Sequence, residues 1–158
     1  MSLAAPGATA TDTLRAVTDH VALDLSAAEA FLRKLGMEVL ETSSERVVGQ
    51  IPVEGNTQPD GILHGGATMA LVESLASIGA AVRAGWPENL VMGLQQTCNF
   101  IRPASEGVVV GVATPLHAGR TTQIWDVQVT HRDTGKLIAQ GRVTLAVRPR
   151  VKPEGGAR

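Results

Sequence analysis

Apolar residues at Leu14, Val17, Val21 and Leu25 recur every three to four positions, which predicts a short amphipathic helix over about Thr13–Leu23. Ser26-Ala-Ala-Glu29 has the form of a capping box, and Gly36 stops the helix that follows. Phe31, Leu32 and Leu35 are expected on its buried side. Met37–Glu41 and Arg46–Val53 are alternating or β-branched around the polar Thr42-Ser43-Ser44, a pattern for two strands joined by a turn. Glu54–Leu63, rich in Gly, Asn, Pro and Asp, predicts a loop.

His64–Ala84 is the one long helix candidate. Between His64 and Arg83 only Glu73 is charged, and a helix apolar nearly all round is a buried helix. Its many small residues would let a sheet wrap closely around it. After Trp86-Pro87 the pattern turns to strands at about Leu90–Ile101, Gly107–Leu116, Thr121–Arg132 and Lys136–Arg148. The intervening turns are Arg102–Gly107, His117–Arg120 and Asp133–Gly135, and connections this short predict antiparallel pairing of successive strands. The expected architecture is α+β: a central helix inserted before an antiparallel meander.

Composition narrows the function. A chain of 158 residues with 44% apolar and 18% charged residues fits one domain, expected over residues 13–150 between flexible tails at 1–12 and 151–158. Lys and Arg number 14 against 15 Asp and Glu, so the basic footprint of a nucleic-acid binder is absent. Aromatics are 3% with no Tyr, which argues against base stacking. The single cysteine, Cys98, excludes an intrachain disulfide and a multi-Cys zinc site and suits a reducing cytoplasm. It is expected as an inert core thiol. The N-terminus lacks the order of a signal peptide, and no run of 18 uncharged apolar residues occurs, so no membrane partner is expected.

Searches for a Gly-x-Ser-x-Gly elbow, a Walker loop, His-Glu-x-x-His and Gly-x-Gly-x-x-Gly all fail. His20, His64, His117 and His131 lack metal-ligand spacing, so neither a metal nor a nucleotide cofactor is expected. His117 and His131 are expected at exposed strand ends, Trp125 in the core or an interface, and Asp126 on the opposite face.

One segment stands out, from Gly61 through His64-Gly65-Gly66 to Glu73 and Ser77. Glycines at a helix start leave backbone N–H groups open to an incoming oxygen, where the dipole favours negative charge. That makes an oxyanion hole; equally, Gly65-Gly66 serve a tight entry turn. A carboxylate inside a buried helix is costly unless it is paired, which makes Glu73 a functional candidate, a structural ion pair or an interface residue. Ser77, four residues on, shares its face and is either its partner or a small packing residue. Gly65 and Glu73 lie eight residues apart, about 12 Å along the axis and roughly 80° around it. One helix cannot bring both to one carbon; two antiparallel helices across a two-fold axis can.

These residues, with Gln58, resemble the hotdog-fold acyl-CoA thioesterases of the PaaI-like group, in particular the 4-hydroxybenzoyl-CoA thioesterase branch that uses a glutamate. The similarity continues through Asn99–Pro103, His117–Gly119, Thr121-Thr122, Trp125–Val127 and Ala146–Arg150, covering about Arg46–Arg150. The resemblance implies an antiparallel sheet around one central helix, Glu73 as catalytic carboxylate and the Gly65 N–H as oxyanion donor. It implies that Gln58 and His64 orient the thioester, with Ser77 standing where the branch often has Thr. Asn56 lies close enough in sequence to compete with Gln58. Arg102, Thr121, Thr122, Arg148 and Arg150 would meet CoA, as would Arg120, where close relatives tend to carry a small hydroxyl residue. The implied partner is a CoA thioester and the implied assembly a homodimer or a dimer of dimers, a homotetramer, serving the degradation of aromatic compounds. Two other functions on the same fold stay open: a non-catalytic acyl-CoA-binding module and a hydroxyacyl-thioester dehydratase.

Overall fold

The computed structural model describes residues 30–151, so the expected helix over Thr13–Leu23, the capping box at Ser26–Glu29, the tail 1–12 and all but Val151 of the tail 151–158 lie outside the described residues. The elements run α1 (Ala30–Lys34), β1 (Glu38–Thr42), β2 (Val47–Pro52), α2 (Gly65–Ala84), β3 (Asn89–Phe100), β4 (Val108–Ala118), β5 (Thr122–His131) and β6 (Leu137–Pro149). Each expected strand is present to within a few residues. All neighbours pair antiparallel in one six-stranded sheet of order β1-β2-β4-β5-β6-β3.

The sheet curls around α2, which touches every strand. Ten of its residues are buried, among them Leu71, Val72, Leu75 and Ala76, with no exposure at all. Length and composition alone would let α2 cross a membrane, but here the sheet encloses it. Close approach depends on glycines on both sides. A Cβ on Gly111 would come within 2.5 Å of the Leu75 side chain, and one on Gly141 within 2.6 Å of Val72. From the helix side, a Cβ on Gly79 would fall 2.5 Å from the Trp125 ring, which is fully buried. Trp125 therefore belongs to the core, its indole N–H donating to Gln123 Oε1 at 2.9 Å while Gln123 Nε2 donates to Ala80 O.

Three expectations are corrected. The strands after α2 are not a simple meander, because β3 pairs with β6 and not with β4. The seven residues 101–107 between β3 and β4 can span about 24 Å when extended, and three inter-strand steps need only about 14 Å. A short connection therefore fixes the antiparallel sense without fixing adjacency. Phe31 is 60% exposed, since the five-residue α1 turns Leu32 into the core and Phe31 lies a 100° turn away. His131 is half-buried: its Nδ1 accepts from Asp133 N–H and its Nε2 bonds Glu106 O at 3.1 Å, fastening the β5–β6 turn to the β3–β4 connection. Asp126 accepts from Gln140 Nε2 at 2.8 Å across β5 and β6.

The packing at Gly79 yields a test of sign. Helix propensity favours Gly79→Ala by about 1 kcal/mol. Overpacking against a rigid, buried indole costs about 1–3 kcal/mol. Gly79→Ala is expected to lower the urea unfolding midpoint, and a raised midpoint would show that the helix-to-sheet spacing is not tight there.

Candidate active site

The loop before α2 is held rigidly. Asn56 Nδ2 donates to Leu35 O and Pro52 O at 2.8 and 2.9 Å, and its carbonyl accepts the His64 N–H at 2.8 Å. Asn56 thus braces the loop. Gln58 sits on a tight turn closed by Gly61 N–H to Gln58 O at 2.9 Å, with Gly61 at φ 73°. Leu63 N–H donates to Ala104 O at 2.7 Å, which ties this loop to the β3–β4 connection.

At the helix start His64 is the N-cap. Its Nδ1 accepts the Gly66 N–H at 2.8 Å, and a Cβ on Gly66 would fall 2.9 Å from that atom. This corrects the expectation that both glycine N–H groups lie open: Gly66's is consumed, while Gly65's has no acceptor among the described residues. A ring that accepts through Nδ1 carries its proton on Nε2, so His64 offers one outward donor. The Phe100 ring lies over Gly65, 3.1 Å from where a Cβ would be, and is 57% exposed. Gln58, His64, Gly65, Phe100 and Arg102 share one open groove of about 610 Å³. Phe100 had no expected role in the sequence beyond lying within the Asn99–Pro103 stretch of similarity; no charge or spacing marked it out.

Farther along α2, Ser77 Oγ donates to Glu73 Oε1 at 2.6 Å. Both residues are half-buried. Among the described residues no ion pair involves Glu73 and its Oε2 has no partner. Gly93 of β3 leaves room beside it, since a Cβ there would approach Glu73 Oε1 to 3.6 Å. Gly65, Met69, Glu73, Ser77 and Ala81 form a stripe at four-residue spacing that is half-buried along its length, flanked mostly by fully buried positions. The helix runs antiparallel to β3 along this stripe: Gly65 lies by Phe100, Met69 O accepts from Gln96 Nε2 at 2.8 Å, and Glu73 lies by Gly93. Gly65 and Glu73 do not meet within one chain.

The expected CoA contacts also separate. Arg102 Nη1 donates to Leu137 O at 3.0 Å, at the start of β6. Thr121, Thr122 and Arg148 gather at the far end of β6, where Val147 N–H donates to Thr121 O and Thr122 pairs with Ala146. Arg120 stands there beside Arg83 and Asn89 in a second cavity of about 310 Å³. Arg150 continues past this end, its side chain turned onto Trp86. From Leu137 to Arg148 is about 35 Å of strand.

Residues 60–154 match the model of the Thioesterase superfamily. The chain belongs to the thioesterase superfamily. Its relatives include a 1,4-dihydroxy-2-naphthoyl-CoA hydrolase of Listeria monocytogenes, 36% identical over 119 residues that cover 75% of this chain and 95% of the relative. A protein of the same name from Escherichia coli is 40% identical over 98 residues, 61% of this chain and 71% of the relative. Among solved structures, a thioesterase of Pseudomonas aeruginosa superposes with a TM-score of 0.77 at 32% identity, covering 86% of this chain and 98% of that one. The Haemophilus influenzae thioesterase HI1161 superposes with a TM-score of 0.74 at 29% identity, covering 80% and 88%. The six strands around one helix are the hotdog fold of this superfamily.

Other ionisable groups add little to this thioesterase-superfamily site. Among the described residues no three His, Cys, Asp or Glu side chains cluster in a way that could hold a metal. Cys98 is half-buried against the core on β3, and burial pushes its thiol above the usual range. A raised thiol is a poor nucleophile at neutral pH, which fits an inert role.

The cap separates two roles of His64. His64→Ala is expected to cost about 1 kcal/mol in a denaturant melt through the lost cap. His64→Asn, which supplies a new cap acceptor, is expected to restore the midpoint. If Asn leaves the protein as unstable as Ala does, the Nδ1 bond is not holding the helix start.

Proposed function

We propose that this protein hydrolyses an acyl-CoA, with an aromatic acyl group favoured, to the free acid and CoA, at a site shared between two copies of the chain. The observation that carries this is the half-buried stripe of α2, which presents an uncommitted N–H at Gly65 and a Ser77-braced carboxylate at Glu73. The thioester carbonyl lies against Gly65 N–H of one subunit, which receives the negative charge as the carbon becomes tetrahedral. Glu73 of the partner subunit delivers the attack, through its free Oε2 or a water that it activates. On the water route, collapse of the tetrahedral species breaks the C–S bond and leaves the free acid. On the direct route it leaves an acyl–Glu73 anhydride, which a water then hydrolyses to the acid and free Glu73. On both routes the CoA thiolate takes up the proton that the water gives up. Gln58 and the His64 Nε2–H line the same groove and orient the acyl group. The 1,4-dihydroxy-2-naphthoyl-CoA hydrolases among the relatives support a CoA ester with an aromatic acyl group. A binding module has no need of the Glu73–Ser77 pair, and a dehydratase pairs its acid with a histidine, whereas Glu73 bonds Ser77 and no histidine.

Three features support the second copy. β3 is an edge strand of 12 residues, and Asn89–Phe100 contains no charge and no proline of its own to guard the edge against pairing. Met92 and Leu94 on it are 45% and 64% exposed. Midway between Gly65 and Glu73 is Met69, bonded to Gln96; a two-fold axis near that pair, with β3 strands antiparallel, sets Gly65 of each chain opposite Glu73 of the other. The same rotation brings the Phe100–Arg102 end of one chain to the Asn89–Leu90 end of its partner. Arg148 pairs with Leu90 there, so the separated arginines serve one ligand.

Two measurements test this. Release of free thiol from benzoyl-, phenylacetyl-, 1,4-dihydroxy-2-naphthoyl- and octanoyl-CoA is expected for the wild type. Glu73→Gln should lower kcat by about 10²- to 10⁴-fold with an unchanged melting temperature. A variant that keeps most of its kcat would remove Glu73 from the chemistry. The shared site is tested by mixing Gly65→Pro with Glu73→Ala. Proline is tolerated in the first helical turn and deletes the donor. Each variant alone should be inactive. After co-refolding equal amounts, about half of the dimers are mixed, and each mixed dimer has one intact site, so about a quarter of all sites should work. Confirmed mixed dimers without activity would mean that Gly65 and Glu73 do not meet across the interface.

A further inference from the structure

At the far end of α2, Gly85 adopts φ 75° and stops the helix. Trp86 N–H bonds Ala81 O at 3.0 Å and Gly85 N–H bonds Val82 O at 3.1 Å, the paired bonds of a Schellman motif. This turn throws the Trp86 side chain outward, where it is 46% exposed. Arg150 lies over it, with its guanidinium carbon 4.5 Å from the ring centroid. Arg150 Nε donates to Pro87 O at 3.0 Å, and its backbone N–H donates to Glu88 O at 2.9 Å. Among the described residues no carboxylate pairs with this guanidinium. The stack and the Nε bond fix the plane of the group, and among the described residues both Nη atoms, with four N–H donors, have no acceptor.

A planar cationic fork, held in place and without a counter-charge among the described residues, matches the geometry of a phosphate. We propose that Trp86 is a positioning residue for the nucleotide end of CoA: it holds the Arg150 guanidinium flat so that its two Nη groups meet an incoming phosphate. The inference rests on Arg150 as a CoA contact. A long exposed arginine ordinarily loses its rotamer freedom when a ligand arrives; here part of that loss precedes binding, so affinity gains without a new ligand contact. Thr121, Thr122 and Arg148 lie at the same end of the sheet, so the corner is placed beside the other expected contacts.

The test uses free CoA and free pantetheine as probes, with Kd from calorimetry. Pantetheine lacks the phosphorylated nucleotide, so it reports any general disturbance of the site. Trp86→Ala is expected to weaken CoA binding about two- to fivefold, the size of one exposed cation–π contact, and to leave pantetheine unchanged. Trp86→Phe, which keeps a ring face, should restore most of the loss. Trp86→Ala combined with Arg150→Ala should bind CoA no more weakly than Arg150→Ala alone. The proposal is overturned if Trp86→Ala leaves CoA binding intact while Arg150→Ala weakens it, if both probes weaken together, if Phe fails to rescue, or if the two losses simply add. If Arg150→Ala itself leaves CoA binding unchanged, the phosphate role of Arg150 fails and this inference falls with it.

Discussion

The constraint on which the structure depends is the distance between α2 and the sheet around it. Leu75 and Val72 press onto strand positions where only glycine fits, Gly111 and Gly141, and Trp125 presses back onto Gly79. Each fully buried aliphatic side chain contributes about 1.5–3 kcal/mol of transfer free energy. That gain requires the strands to come within van der Waals reach on several sides of one helix. A sheet of six strands achieves this on most of the circumference and leaves one stripe half-buried among the described residues, next to the β3 edge. Gly65, Met69, Glu73 and Ser77 occupy that stripe. A carboxylate at the buried positions of α2, such as Leu71 or Leu75, would be sealed among apolar side chains; on the stripe Glu73 keeps one oxygen bonded to Ser77, and the other has no partner among the described residues.

Much of this was legible from residue pattern. The single charge in a long apolar segment marked both the central helix and its candidate acid, because burial makes an unpaired carboxylate expensive. The four-residue offset of Ser77 gave its partner, because helical geometry sets that neighbour. Strand positions followed from alternation and turn residues, which are local properties. Strand order was not local. The length of the β3–β4 connection fits adjacency and a three-strand crossing equally well, and only packing around α2 decides between them. Gly66 was misread for a related reason: two neighbouring glycines look alike in sequence, and the side-chain acceptor that distinguishes them, His64 Nδ1, depends on a rotamer.

The division of the site along the chain has a simple physical origin. A helix fixes eight residues at about 12 Å whatever surrounds them, so Gly65 and Glu73 are held apart by the same regularity that makes α2 a good core. Likewise β6 holds Arg102's anchor at Leu137 and the Arg148–Arg150 segment at its two ends. Rigid elements give precise placement of each group and forbid their convergence. Bending the helix would bring them together only by breaking backbone hydrogen bonds inside a dry core, where each orphaned group costs about 1–3 kcal/mol.

In the proposed dimer, symmetry supplies what bending cannot. A two-fold axis adds no new residue types; it re-pairs existing ends, so an N–H from one helix start faces an acid from the middle of another. The uncharged β3 edge, which in a lone subunit invites indiscriminate strand addition, becomes the surface that specifies this single pairing. Hazard and function are then answered by one contact. The lack of Lys, Glu or Pro along Asn89–Phe100 is consistent with that proposal, because a gatekeeping charge there would protect the isolated chain while opposing the proposed pairing of β3 edges.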